Sequence, residues 1–330
     1  MSTPSSYLST AAVPLTGSFQ SRTAAMVTRA SVRRLNNALP SNAAGVWFGR
    51  TMVATFMAAL GPPLPGTTVV PVRDAVVRGE WVSAPGVTRA DKAIYYIHGS
   101  GYVVCSARTH RGLASRLSKT TGVPVFLTDY RLAPEHCFPA AADDVEAGYR
   151  WLQERGFRPQ DIVVAGDSAG GHLAMDLLIE NARQGQAQPA GAVMFSPLVD
   201  LTLNRARAQE AVRKDPMISA QAARRMVDMY SCNEPEDHPR LGLSLRTGVS
   251  LPPILVQAGG AEMLKADAEY LYAMVTAAGG RCELEVWPDQ MHVFQALPLI
   301  IPEAAGALRR AAAFIQAAHG MAVGEYAEVS

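Results

Sequence analysis

A serine sits between glycines two positions to either side in Gly166-Asp167-Ser168-Ala169-Gly170-Gly171. The run before it, 161–165, is rich in β-branched residues, and the run after it, 169–183, has a helical pattern, so the serine falls on a strand-to-helix turn. A turn that tight brings backbone against backbone. Side chains at the two flanking glycines would collide there, and the serine is forced into a strained conformation that lifts its hydroxyl clear of the sheet. The positive end of the following helix then points at any negative charge that develops nearby. The chemistry implied is attack by Ser168 on an electrophilic carbon with a covalent intermediate.

A serine hydroxyl is a weak nucleophile until a base takes its proton. The chain has seven histidines. His292, in Asp289-Gln290-Met291-His292-Val293-Phe294, follows the last expected strand, as the order nucleophile, acid, base requires. His110, His136, His172 and His319 read as surface or satisfied histidines, and His238 lies in a later insertion. Two carboxylates follow the strand ending near residue 258, in Gly259-Gly260-Ala261-Glu262-Met263-Leu264-Lys265-Ala266-Asp267. Glu262 is nearer the strand end. Asp267 would open the next helix, where an acid favours the dipole, and Asp289 reads as turn chemistry. The acid would hold the imidazole tautomer and stabilise the imidazolium. His98-Gly99-Ser100-Gly101 follows the third expected strand, and its peptide N–H groups, with that of Ala169, are the candidate oxyanion hole. His98 is expected to brace this loop.

The elements that must carry these residues alternate from about residue 68 onward. Strands are expected at 69–72, 77–82, 93–97, 124–127, 161–165, 191–195, 254–258 and 282–287. Helices are expected at 107–119, 143–155, 169–183, 267–278 and 303–318. This is the pattern of βαβ units around a parallel sheet. Residues 198–250 break the alternation and are too long for a simple connection. We read them as a cap insertion, residues 1–67 as N-terminal cap helices, 68–197 with 251–320 as the catalytic domain, and 321–330 as a flexible tail.

The 330 residues are 48% hydrophobic and 18% charged, with a net charge of +1. That supplies apolar material for a sheet covered on both faces. No basic run offers a phosphate backbone a footprint, which excludes nucleic acid as a partner. Residues 1–73 hold six arginines and no acid, yet Val46-Trp47-Phe48 with Met52, Phe56, Met57 and Leu60 reads as a cap helix rather than a transit peptide. No apolar run reaches the roughly 18 residues of a membrane span, so no stable membrane insertion is expected. Cysteines 105, 137, 232 and 282 are too scattered for a metal or redox motif. They read as free thiols, which suits a reducing, cytoplasmic setting.

Taken together, Tyr96-Ile97-His98-Gly99-Ser100-Gly101-Tyr102-Val103, Asp129-Tyr130-Arg131-Leu132-Ala133-Pro134-Glu135 with Phe138-Pro139-Ala140, the serine motif and Met291-His292-Val293-Phe294 resemble the hormone-sensitive-lipase-like, bacterial family IV carboxylesterases. The likeness covers roughly residues 68–320. It implies an α/β-hydrolase fold with a mostly parallel eight-stranded sheet, helices on both faces and a helical cap. It also implies hydrolysis of short- to medium-chain acyl esters by a Ser168, Glu262, His292 triad, with no cofactor and no metal. The partner implied is a small-molecule ester, and a homodimer is possible by the same likeness. Two departures stand out: Ser100 replaces a usual glycine, and Glu262 replaces a usual aspartate at the acid position. An amidase or peptidase would use the same machinery. A non-catalytic ligand-binding protein on this scaffold is the alternative from another class.

Overall fold

The computed structural model describes residues 12–321 apart from 233 and 236. Most of the tail expected at 321–330 therefore lies outside the described residues. Three helices come first: α1 (Phe19–Ala30), α2 (Val32–Ala38) and α3 (Ala43–Leu60). Eight strands and seven further helices follow. They are β1 (Thr68–Arg73), β2 (Arg78–Ser83), β3 (Ala93–Ile97), α4 (Ala107–Thr121), β4 (Val125–Thr128), α5 (Ala140–Glu154), β5 (Ile162–Asp167), α6 (Ala169–Arg183), β6 (Gly191–Phe195), α7 (Asn204–Val212), α8 (Ala220–Ser231), β7 (Ile254–Gly259), α9 (Lys265–Ala277), β8 (Cys282–Trp287) and α10 (Glu303–Ala318).

The strands form one sheet in the order β1-β2-β4-β3-β5-β6-β7-β8. β1 and β2 run antiparallel to their neighbours and the other pairs are parallel. Every residue of β3, β4, β5, β6 and β7 is buried, as strands covered on both faces must be. One core cluster packs under α5, α6 and α9, and a second under α4 and α10. The parallel strands point the same way, so the loops leaving β3, β5, β6, β7 and β8 gather along one rim, where open α/β sheets place their ligands.

Three sequence expectations change here. Cys137 and Cys232 form a disulfide, with Cα atoms 5.9 Å apart, and only Cys105 and Cys282 are free thiols. They stand 95 residues apart in sequence, and only the docking of α8 on the 132–138 segment, through the N–H of Phe138 to the carbonyl of Tyr230 at 2.7 Å, brings them together. Second, the cap helix read from Val46 to Leu60 begins at Ala43 as α3, which bears on the expectation that no run reaches the length of a membrane span. At 18 residues with a mean hydropathy of 1.3, α3 is long and apolar enough to cross a membrane by length and composition. In this fold Met52, Val53, Phe56 and Met57 line a cavity, while Arg50 donates to the carbonyls of Val103 and Ala133 and pairs with Glu135. Third, the choice left open between surface and satisfied for His110 and His172 narrows to the second, since both are buried with hydrogen-bond partners. Burial and the nearby Arg240 charge drive His172 down to about 4, against its bond to the Leu241 carbonyl.

Candidate active site

Ser168 is the first residue after β5 and caps α6, with φ 52° and ψ −121°. A side chain in that conformation is strained, and it persists because its surroundings leave no alternative. The Ser168 N–H donates to the carbonyl of Phe195 at 3.0 Å, and the Ser168 carbonyl accepts from Leu198 at 3.0 Å, so β6 and its loop clamp the turn. A Cβ on Gly166 would lie 2.6 Å from the carbonyl oxygen of Gly170, which is why the glycines flank the serine.

Beside the nucleophile, Asp167 is buried and ties three elements together. Its Oδ1 accepts from the Tyr96 hydroxyl at 2.8 Å and from the N–H of Gly99 at 3.0 Å, and stands 3.2 Å from His110 Nε2. Burial works to raise this carboxyl, but the His110 charge and hydrogen bonds outweigh it and hold it below its ordinary value. One consequence corrects the oxyanion assignment. The Gly99 N–H is engaged with Asp167, so of the expected donors Gly99, Ser100, Gly101 and Ala169, only the last three remain. No acceptor among the described residues takes their N–H groups. Ser100 adopts φ 110° and Gly101 φ 60°, and both line the cavity with Ser168. The Ser100 hydroxyl is turned onto the Val104 carbonyl. His98 braces from below: its ring stacks on Tyr130 at 4.2 Å, its Nδ1 meets the Gly99 carbonyl, and Tyr130 Oη donates to the His98 carbonyl at 2.8 Å. Burial drives His98 down to about 3, so it is neutral.

The expected acid and base, Glu262 and His292, lie in the loops after β7 and β8. Glu262 is wholly buried, and His292 Nδ1 donates to its Oε2 at 2.5 Å. The other oxygen, Oε1, accepts from the Ser196 hydroxyl at 2.7 Å and from the Gly259 N–H at 2.5 Å. Ser196 Oγ in turn accepts from the N–H of Val293 at 3.1 Å, so one hydroxyl fixes both the acid and the base loop. Burial alone would depress His292, but its bond to Glu262 and the charges of Glu262, Asp215 and Asp167 outweigh that and raise it above the ordinary imidazole value. His292 and Ser168 line the same cavity. No hydrogen bond joins Ser168 Oγ to His292 among the described residues, and such contacts commonly tighten only with substrate bound.

Asp267 does not meet His292. Its Oδ1 accepts the N–H groups of Val199 and Asp200 at 2.8 and 2.6 Å, so from the first turn of α9, where it was expected, it also pins the β6 loop. Burial raises it to about 7. Asp289 is at the surface, paired with Arg213. Asp167, Ser196 and Asp215 were missed by sequence reasoning. Asp167 lay in view beside the serine, but a buried bridging role leaves no periodic signal. Ser196 and Asp215 carry no motif at all. Among the described residues no group of three or more His, Cys, Asp or Glu is placed to hold a metal ion.

The cavity above Ser168 measures about 200 Å³. Its floor is the loop at 99–101, Asp167, Ser168, Met263 and His292, and its walls are Val32 and Asn36 of α2, Met52, Val53, Phe56 and Met57 of α3, and Met226 and Val227 of α8. The site can deliver a base-activated hydroxyl to a carbonyl, with peptide donors for the oxyanion and an apolar space for a chain.

Comparison with known proteins follows the same lines. A family model described as the alpha/beta hydrolase fold matches residues 94–296. An esterase of Mycobacterium tuberculosis, LipU, is 37% identical over 278 residues, covering 78% of this chain and 90% of that protein. An acetyl-hydrolase of Streptomyces hygroscopicus is 35% identical, covering 77% and 86%. Among solved structures, an esterase from the bacterial hormone-sensitive lipase family superposes with a TM-score of 0.83 at 32% identity, covering 94% of this chain and all of that one.

Proposed function

The chain belongs to the hormone-sensitive-lipase-like branch of the α/β-hydrolase family, and from that premise we propose that it is a serine carboxylesterase acting on short- to medium-chain acyl esters through an acyl-enzyme on Ser168. The observation that carries the reading is the pairing of a strained, helix-capping Ser168 with a buried Glu262–His292 couple opening on the same cavity. His292 takes the Ser168 proton as the hydroxyl attacks. The oxyanion then accepts from Ser100, Gly101 and Ala169, whose peptide dipoles are already oriented before charge develops. His292 next donates its proton to the leaving alkoxide and finally activates the water that releases the acid. Glu262, held by three donors, keeps Nδ1 protonated and faces the imidazolium with a full negative charge.

The short- to medium-chain preference is supported by the apolar walls and modest volume of the cavity. It goes with reading the helices in 1–67 and 198–250 as the cap, since α2, α3 and α8 supply those walls. The ester leaving group is supported by relatives named esterase and acetyl-hydrolase. Ser168→Ala should lower kcat on p-nitrophenyl butyrate by about 10⁴–10⁶-fold, and a fluorophosphonate probe should label the wild type at Ser168 alone. Near-normal turnover by the variant, or labelling elsewhere, would sink the reading.

A further inference from the structure

Between α7 and α8 the chain runs behind the loop that carries Glu262, and there Asp215 is completely buried. Both of its oxygens are in use. Oδ1 accepts from the N–H groups of Met217 and Ile218 at 2.7 and 3.0 Å, folding the segment around the carboxylate. Oδ2 reaches across and accepts the N–H of Met263 at 2.8 Å. Met263 directly follows Glu262, so this one carboxylate joins the 198–250 segment to the backbone of the acid. On the far side, Arg33 of α2 donates Nη1 to the carbonyls of Asp215 and Ile218 at 2.7 Å each, and Nη2 pairs with Glu210. Glu210 holds the start of α8 by accepting the Ala220 N–H at 3.0 Å. Hydrogen bonds thus run from α2 through Asp215 to Met263, whose peptide link carries the line to Glu262 and so to His292.

We propose that Asp215 is a positioning residue for the reaction: braced by Arg33, it sets the Glu262 loop, and its charge favours the protonated His292 that forms when Ser168 attacks. The inference rests on the serine-esterase reading above. A carboxylate is an expensive group to bury; three N–H donors and the His292 charge counter part of that cost, with burial still holding the carboxyl above its ordinary value. A tie that only packed two loops together would not need an anion. The charges of three carboxylates act on His292, those of Glu262 from the β7 loop, Asp215 from this segment and Asp167 from the serine turn, and all three raise its pKa. The coupling is mutual, since the His292 charge acts to lower Asp215 against the burial that raises it. His292 must be neutral to take the serine proton, so a raised pKa places the acid limb of activity at a higher pH.

The test is the pH profile of kcat/KM on p-nitrophenyl butyrate for the full chain. In Asp215→Asn, kcat should fall at least tenfold with KM within about twofold, and the acid limb should move about half a unit or more to lower pH. A wild-type kcat, or a reduced kcat with an unmoved acid limb, overturns the proposal. If Asp215→Asn does not fold, Arg33→Met carries the test from the other end of the line: kcat should fall several-fold at unchanged KM, and a wild-type kcat overturns it. Fluorophosphonate labelling of Ser168 in the wild type separates the two ideas. Failure to label sinks the esterase reading itself, whereas labelling with unaltered variants sinks only the role of Asp215.

Discussion

The floor and the walls of the cavity are built by different rules. On the floor, Ser168, Glu262, His292 and the loop at 99–101 sit at the ends of buried parallel strands: Ser168 and Glu262 are each held by two or more hydrogen bonds, His292 by its bond to Glu262, and the loop by the Gly99 N–H on Asp167. On the walls, Met52, Val53, Phe56, Met57 and Met226 line the cavity with apolar side chains carried on helices. α3 even turns Trp47 and Phe48 outward to solvent, 68% and 45% exposed. Floor positions are therefore intolerant of small displacements, because catalysis needs atoms placed to a fraction of an ångström. Wall positions tolerate change, because apolar contact is non-directional. If so, floor changes should alter rate and wall changes should alter preference.

The sharpest way to break that contrast is to compare two buried acids in the same loop region. Glu262→Gln leaves the shape but removes the charge facing His292 and permits the wrong tautomer, so kcat should fall by about 10³–10⁴-fold. Asp267→Asn keeps the acceptor for Val199 and Asp200, and a carboxyl raised to about 7 is already part-protonated near neutrality. Its kcat should stay within about tenfold of wild type. Steady-state kinetics on p-nitrophenyl butyrate decide the matter, and the reverse ranking would move the acid role to Asp267.

The walls give a smaller effect of another kind. Phe56→Ala opens the cavity beside the acyl space, so the kcat/KM ratio of a ten-carbon to a four-carbon p-nitrophenyl ester should rise about tenfold, the scale of one or two methylenes in an apolar pocket. Ester-panel kinetics would show a uniform drop across chain lengths instead if Phe56 served the floor.

The same division governs what could be read from the sequence. The floor was legible because it is local: Ser168 is framed by glycines that the turn demands, and His292 and Glu262 follow apolar runs that only buried strands need. All eight strands and the span of α6 follow from such runs. The walls were legible only in pieces: Met52, Phe56 and Met57 read as part of a cap helix, but α2 and α3 meet α8 only in three dimensions, across more than a hundred intervening residues. The Cys137–Cys232 bond, the line from Arg33 to Asp215 and the inward face of α3 all belong to that meeting. Asp167 and Ser196 fell between the two. Asp167 lies inside the serine motif and Ser196 directly follows an expected strand, but each acts by bridging strand-end loops, and a bridge has no period.

Ser100 lies on the seam, since a Cβ on the adjacent Gly101 would meet Met226 of α8. Its φ of 110° is rarely adopted by a residue with a side chain, at a cost of about 1–3 kcal/mol that glycine would relieve. Glycine would add about 0.5–1 kcal/mol of unfolded-chain entropy and give up the hydroxyl bond to the Val104 carbonyl, worth about 0.5–1.5 kcal/mol. These terms nearly cancel, so Ser100→Gly should shift the melting temperature by no more than about 3 °C. Its peptide N–H survives, and the hydroxyl it loses is engaged with backbone rather than the acyl space. Ester turnover should therefore stay within about threefold of wild type. A tenfold or greater loss would place the Ser100 hydroxyl among the groups that touch the substrate, and the seam would then belong to the floor.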